Sequence, residues 1–228
     1  MWESFQRAFL SSDRWIQYLK GLGISLEIAI GAIALGFLIG VICAVVKIMP
    51  KNNIFVKILD KIVGIYITVI RGTPVLLQLL MMYFVILVAL KNVAGNIPIA
   101  IIAFGINSGA YMAEIIRSGI NSVDRGQTEA GRSLGFSWIQ TMWLIVIPQA
   151  IKNVIPTIFN EIIVLVKETS VVGYIPVVDL VKTAEKIGFN IADYLFPLTI
   201  AAVLYLIVVM LLTLVQKFLE RRFARSDR

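Results

Sequence analysis

Asp124–Pro148, DRGQTEAGRSLGFSWIQTMWLIVIP, is the one long polar and turn-rich interval in a chain otherwise dominated by hydrophobic runs. Asp124 can cap a short helix, because its carboxylate accepts backbone N–H groups that the first turn leaves without partners. Gly135 suits the positive φ with which helices commonly end, and Pro148 marks a new start beside the next apolar run. A short amphipathic helix between two apolar segments is a surface that a membrane protein can offer to a soluble partner.

The flanking segments are apolar enough to be membrane spans. Of 228 residues, 59% are hydrophobic and the mean hydropathy is +0.88, against about 45 to 50% apolar residues in soluble domains. The chain has no His and one Cys, Cys43. An intrachain disulfide, a zinc site of His or paired Cys, and a His general base are all excluded. No Gly-x4-Gly-Lys-Ser/Thr motif occurs, so the chain lacks its own phosphate-binding loop for ATP. The first twenty residues are amphipathic and lack the layout of a cleaved signal.

Hydropathy places spans at about 24–46, 57–90, 97–117, 150–172 and 196–216, lengths suited to about 30 Å of hydrocarbon. The second is interrupted by Arg71-Gly72-Thr73-Pro74, which is compatible with one broken crossing or with two short spans. Loop charge favours one broken crossing. With five spans, thirteen Lys and Arg gather on the side that holds the 118–148 loop and the C-terminus, and six lie on the other. The basic side is expected to be cytoplasmic, with the N-terminus outside. The net charge of +7 then serves orientation and contact with anionic membrane lipid, with no case for nucleic acid. Ala32, Gly36, Gly40 and Ala44 recur every four residues, which allows close helix approach and predicts a packed bundle. The expected fold is all-α, a single polytopic membrane domain over residues 1–228.

Polar stripes run along three spans. Lys57, Lys61, Gly64, Thr68 and Arg71 share helical spacing, as do Asn107, Tyr111 and Glu114 with Arg117 beyond them. In the fourth span Asn153, Thr157, Asn160, Glu161 and Val164 are read as one side, followed by Lys167-Glu168-Thr169-Ser170. Intramembrane charge is tolerated mostly where it faces a cavity or a partner. Glu161 lies about 16 Å past the span start near Ala150, close to the bilayer midplane, and is the leading candidate for a ligand contact. Glu114 can serve the same purpose or pair with Arg117, while Asn160, Asn107 and Tyr111 can equally bond helix to helix. Lys167 and Glu168 read as a mutual or interhelical pair. Freed backbone at the break needs protein or a water-filled cavity around it, which draws in Thr73 and Gln78. Arg71 is expected at the cytoplasmic headgroups, with bidentate capture of a carboxylate as the other option.

The loop's order of Glu129-Ala130-Gly131, three residues, Gly135, nine residues, then Ile145-x-Ile147-Pro148 resembles the E-A-A…G…I-x-L-P signature of permease subunits of ATP-binding-cassette importers. Gly131 stands for Ala and Ile147 for Leu. The rest of the chain, over roughly residues 20 to 220, is similar to the polar amino-acid branch of these permeases. The match lies in Arg71-Gly72-Thr73-Pro74-x3-Gln78, Asn107-x2-Ala110-Tyr111-x2-Glu114-x2-Arg117, Pro156-x3-Asn160 and Lys167-Glu168-Thr169-Ser170, with Glu168 where Asp is common. The resemblance implies the five-span type I importer permease fold in a bacterial inner membrane. It implies a second permease copy, identical or paralogous, two ATPase subunits that bind ATP and Mg, and an extracytoplasmic substrate-binding protein. It also implies that Glu129, Ala130, Gly131, Ser133 and Gly135 form a coupling helix seated in the ATPase. The permease itself is then not an enzyme and holds no cofactor. Glu114 and Glu161 favour a basic amino acid as substrate, with Asn160, Asn107, Tyr111, Gln78 and Thr73 as further contacts. A permease for another small solute, or a secondary transporter or channel, is the alternative, and an intramembrane enzyme is disfavoured by the absence of His.

Overall fold

The computed structural model describes residues 2–89 and 95–224, and all regular structure among them is helical. Helix α1 (Trp2–Phe5) leads through a π turn (Gln6–Leu10) and a 3-10 turn (Ser11–Asp13) into α2 (Arg14–Ile48). Helix α3 (Ile54–Arg71) is followed by α4 (Val75–Met81) and a π turn (Met82–Ile86), then by α5 (Asn96–Asn121). The short helices α6 (Arg125–Ser133) and α7 (Trp138–Thr141) precede α8 (Ile147–Glu168). Beyond a 3-10 turn (Thr169–Tyr174) come α9 (Leu180–Ile191) and α10 (Leu195–Ala224).

The small-residue stripe of α2 is what the bundle closes on. Ala32, Gly36, Gly40 and Ala44 are all buried, and they face α5. A Cβ on Gly36 would stand 2.9 Å from Ser108 Cβ, and one on Gly40 would overlap Met112 Cβ. The approach is reciprocal, since Gly105 and Gly109 of α5 receive Leu35 and Ile39 of α2. Residue numbers rise together along the contact, so α2 and α5 run parallel. Helix α8 runs the other way along α5, with Val154 against Gly119 and Glu161 against Ser108. The interval after α2, the 122–146 loop and the C-terminal end of α10 therefore lie together at one end of the bundle, the grouping expected from loop charge.

The broken second span is one crossing. Near the loop end, Asp60 of α3 receives Lys47 at 2.8 Å and Lys51 at 2.7 Å. Halfway along α5, Tyr66 Oη donates to the Ile106 carbonyl at 2.5 Å. Past the break, Leu79 and Tyr83 join Ile99, Ala100, Ala103 and Phe104 at the far end of α5. The two pieces meet at 108°. The expected end of this span at residue 90 lies outside the described residues. The other spans run longer than expected from hydropathy. The first is helical from Arg14, the third fills Asn96–Asn121, and the fourth continues an apolar helix that starts at Trp138.

One element was absent from the sequence reading, helix α9 between the last two spans. Its N-cap, Asp179, is fully buried and accepts the N–H groups of Lys182 at 2.9 Å and Val181 at 3.2 Å. Burial pushes the Asp179 carboxyl above the usual carboxylate range, and those two backbone donors pull it back. Ser25 of α2 links the same corner, accepting from Leu180 N at 3.4 Å and lying 3.3 Å from Tyr205 Oη of α10.

Gly40→Leu is expected to abolish the monodisperse peak of detergent-extracted protein in size-exclusion chromatography. Gly23→Ala, where a Cβ meets nothing within 4 Å, should elute as wild type. Asp179→Ala should lower the thermal midpoint by the equivalent of about 1 kcal/mol through loss of the cap, and Asp179→Asn by less. Equal midpoints for all three proteins would remove the capping role.

Candidate functional site: the docking loop and the polar face

The loop is a rigid unit built from its own sequence. Asp124 Oδ1 accepts from Gly126 N at 2.6 Å and starts α6. The helix therefore covers Arg125–Ser133, beginning before the expected 129–135 stretch and ending before Gly135. Gly135 takes φ +85°, Gly135 N donates to Arg132 O at 3.0 Å, and Phe136 N donates to Gly131 O at 3.2 Å. This pair of bonds is the Schellman closure, which needs a left-handed residue just past the helix end. Ser137 and Gln140 then cap α7 reciprocally, at 3.3 and 2.8 Å.

Packing explains why Gly131 departs from Ala. It is the buried residue of α6, and a Cβ there would come within 2.8 Å of Ile145 Cδ1 and Thr141 Cγ2. Gln149 Nε2 of α8 donates to Gln127 Oε1 of α6 at 3.2 Å and ties the loop helix to the span. Glu129, Ala130, Ser133, Leu134 and Gly135 remain exposed on its outer side, with Leu134 75% exposed. An exposed Leu among small and charged residues at a rigid helix end fits an interface better than it fits water.

At the break in the second span the polar groups satisfy one another. Thr73 Oγ1 donates to Val69 O at 2.8 Å, and Gln78 Nε2 donates to Ile70 O at 2.8 Å and Thr73 Oγ1 at 2.7 Å. Gln78 Oε1 in turn accepts from Asn107 Nδ2 of α5 at 2.8 Å. The carbonyls that Pro74 leaves open are thus closed by Gln78, and Asn107 locks the knot to the neighbouring helix. Asn107 Oδ1 is left buried without a donor. Thr73, Gln78 and Asn107, read from the sequence as substrate contacts, are hydrogen-bonded to one another through Gln78.

Arg71, expected at the cytoplasmic headgroups, is exposed at the end of α3. Its guanidinium lies over the Tyr111 ring, 5.3 Å from the centroid, at the middle third of α5. The path of α3 across α5, from Tyr66 at Ile106 to Arg71 at Tyr111, brings the two side chains together. Glu114 takes its second reading, an ion pair with Arg117 in which Nε donates to Oε2 at 3.0 Å.

The stripe assigned to the fourth span divides in two. Asn153, Thr157, Asn160 and Lys167 are exposed along one face of α8, whereas Glu161 turns into the bundle, 7% exposed, and accepts from Ser108 Oγ at 3.3 Å. Consecutive residues on a helix point about 100° apart, so Asn160 and Glu161 cannot share a face. Among the described residues no Lys or Arg forms an ion pair with Glu161, and Lys167 and Glu168 form none with each other. Next to this face, Glu114, Ser118, Ser122, Asn153 and Thr157 border a cleft of about 500 Å³ between α5 and α8. Asn153 Nδ2 donates to Ser122 Oγ across its floor at 2.9 Å. Ser108 and Ser122 gave no signal in the sequence, because a hydroxyl on an apolar helix is common and their bonds to Glu161 and Asn153 depend on where α8 lies.

Comparison with known proteins agrees with this architecture. The "Binding-protein-dependent transport system inner membrane component" family matches residues 21–225. The chain is 37% identical to the "Arginine transport system permease protein ArtQ" of Bacillus subtilis, over 92% of this chain and 93% of that one. It is 35% identical to the "Putative glutamine transport system permease protein GlnP" of Rickettsia typhi, over 90% and 91% of the two chains. Among solved structures, one described as an amino acid ABC transporter with histidines superposes with a TM-score of 0.85 at 37% identity, covering 94% of this chain and 98% of that one. The inward-facing MetNI methionine transporter shares the fold at a TM-score of 0.77 and 18% identity, over 93% and 99%. A loop helix braced at one end of a five-crossing bundle, together with this match along nearly the whole chain, places the protein among the binding-protein-dependent inner membrane components, as a permease of the amino-acid ATP-binding-cassette importers.

Proposed function

We propose that this permease forms one half of the path by which a polar or basic amino acid, such as arginine, lysine or histidine, enters the cell. ATP with Mg is bound and hydrolysed by two separate ATPase subunits. An extracytoplasmic binding protein delivers the substrate, and the second half of the path is another permease, identical or paralogous. The basic loop end faces the cytoplasm and the N-terminus faces outward, in keeping with the positive-inside rule. The carrying observation is the loop itself, where Schellman closure, the Gly131 contact and the Gln127–Gln149 bond make α6 a stiff lever continuous with α8. A lever of this kind can pass the closing of an ATPase pair to the spans, whereas a flexible loop would absorb the motion.

The exposed polar face of α8 and the cleft beside Glu114 are surfaces on which a second permease could complete a water-accessible path. Glu161 is the carboxylate that supports a cationic substrate. It sits near mid-depth without a cation partner among the described residues, and an ionisable group buried within a span is costly to keep unless it serves something. Glu114 contributes less to that preference, since Arg117 already neutralises it. The relatives named for arginine and for glutamine fit a site that takes polar side chains of both kinds.

Glu161→Ala should abolish substrate uptake by the reconstituted importer while the permease still co-purifies with its ATPase. Uptake at the wild-type rate would take Glu161 out of the path. For the loop, Glu129→Lys puts a cation where the exposed carboxylate of α6 now stands and should reduce ATPase co-purification by at least about tenfold, the equivalent of about 1.4 kcal/mol. Retained co-purification together with full transport would show that α6 is not the docking element.

A further inference from the structure

We propose that a groove between the N-terminal segment and α10 holds an acyl chain of a membrane phospholipid, and that this chain fastens the segment to the bundle. The groove lies at the start of α10, the end of the bundle opposite α6.

Before it enters α2 the chain folds back on itself. Ser12 (φ 55°, ψ 36°) and Asp13 (φ 52°, ψ 35°) take the left-handed conformation in succession, and neither is glycine. Residues in that conformation persist where surrounding contacts hold them. Here Tyr18 Oη donates to the Ala8 carbonyl at 3.4 Å, and the Arg14 guanidinium donates to the Arg7 carbonyl. A run of rings does the rest. Trp2 stacks on Phe5 at 5.7 Å, Phe5 on Phe9 at 5.7 Å, Phe9 lies 6.3 Å from Tyr18, and Phe5 meets Phe196 of α10 edge-on at 6.4 Å. Ala8 and Tyr18 are fully buried by this packing, but Phe5 and Phe9 are only half-buried and Trp2 is 66% exposed. Part of the ring surface that holds the turn is left uncovered.

That surface borders a groove of about 370 Å³, with Phe5 and Phe9 on one wall and Phe196, Thr199, Ile200, Val203 and Leu204 of α10 on the other. The α10 residues recur at i, i+3, i+4, i+7 and i+8, so the groove follows two turns of that helix, about 12 Å at a rise of about 1.5 Å per residue. Its lining offers no free polar group. Thr199 is the one polar residue in it, and Thr199 Oγ1 donates to Leu195 O at 2.7 Å. A peptide backbone or a charged headgroup would give up hydrogen bonds in such a slot, whereas a hydrocarbon chain gives up none. Direction favours the same occupant, because a chain laid along α10 runs as lipid chains run beside a span. The groove is also continuous with the bare apolar side of α10, where Leu206, Ile207, Met210 and Leu214 are exposed and only 6% of the most apolar stretch is buried. Whatever bathes that side reaches the groove. A hydrocarbon chain there would finish covering Phe5 and Phe9 and so hold the left-handed turn at Ser12 and Asp13 in place.

The test uses the permease–ATPase complex in phosphatidylcholine nanodiscs that contain some of the same lipid with a photoreactive diazirine in its acyl chain. Illumination of wild type should label the peptide that carries Phe5 and Phe9. Val203→Trp fills the groove from an exposed position, and it should lower that label by at least about tenfold while label on Leu206–Leu214, beyond the groove, stays as in wild type. After extraction into detergent, native mass spectrometry should find a phospholipid retained on wild type and lost from Val203→Trp. Should Val203→Trp fail to assemble, Thr199→Phe takes its place in both measurements. Equal labelling of the Phe5–Phe9 peptide in wild type and the groove-filling variant overturns the proposal, as does wild type labelled only on Leu206–Leu214. A photoreactive benzoylphenylalanine placed at Val203 should couple to lipid, and its coupling to a second permease instead would assign the groove to the partner and overturn the lipid.

Discussion

The structure depends on the contact between α2 and α5, where backbones touch because Gly36, Gly40, Gly105 and Gly109 carry no side chain to keep them apart. In a bilayer the hydrophobic effect does little to bring helices together, since lipid tails are as apolar as Leu. Association rests on close packing and on the hydrogen bonds it permits. Two parallel helices at this distance form a fixed spine, and every other span is placed by how it meets that spine. Helix α8 packs antiparallel on α5 through Gly119, and α9 and α10 close on α2 through Ser25 and Tyr205.

The second span has to pass the spine obliquely, and its polar residues follow from that path. The chain turns through 108° at Gly72–Pro74 and continues as α4. The turn exposes carbonyls at mid-depth, and Gln78 closes them. Most polar residues within the spans have such a structural duty. Thr73, Gln78 and Asn107 hold the break, Glu114 holds Arg117, and Ser122 holds Asn153. Set against these, Arg71 and Glu161 form no ion pair among the described residues.

The loop obeys a different physics, because it lies outside the apolar spans and its bonds are local. Asp124, Gly135 and the Ser137–Gln140 pair each act on residues within five positions of themselves. Stiffness then comes from Gly131 seated on Thr141 and Ile145, which joins a locally determined helix to a membrane span.

What could be read from the amino-acid order alone was whatever depends on near neighbours or on bulk hydropathy. The α-helical membrane class, the approximate spans, the small-residue seam, the cap at Asp124 and the left-handed Gly135 belong to that group, since capping, turn formation and apolar run length act over a few residues. Helix α9 escaped notice because hydropathy marks long apolar runs, and its 12 residues bury only one face, against α2 and α10. Tertiary structure alone decided which way each polar side chain turns. Asn160 and Glu161 are adjacent in the chain and point to different worlds, one outward and one into Ser108, and Arg71 meets Tyr111 only because α3 is tilted across α5. Periodicity gives a residue's angle on its own helix, but which angle is inside depends on where the neighbouring helices stand.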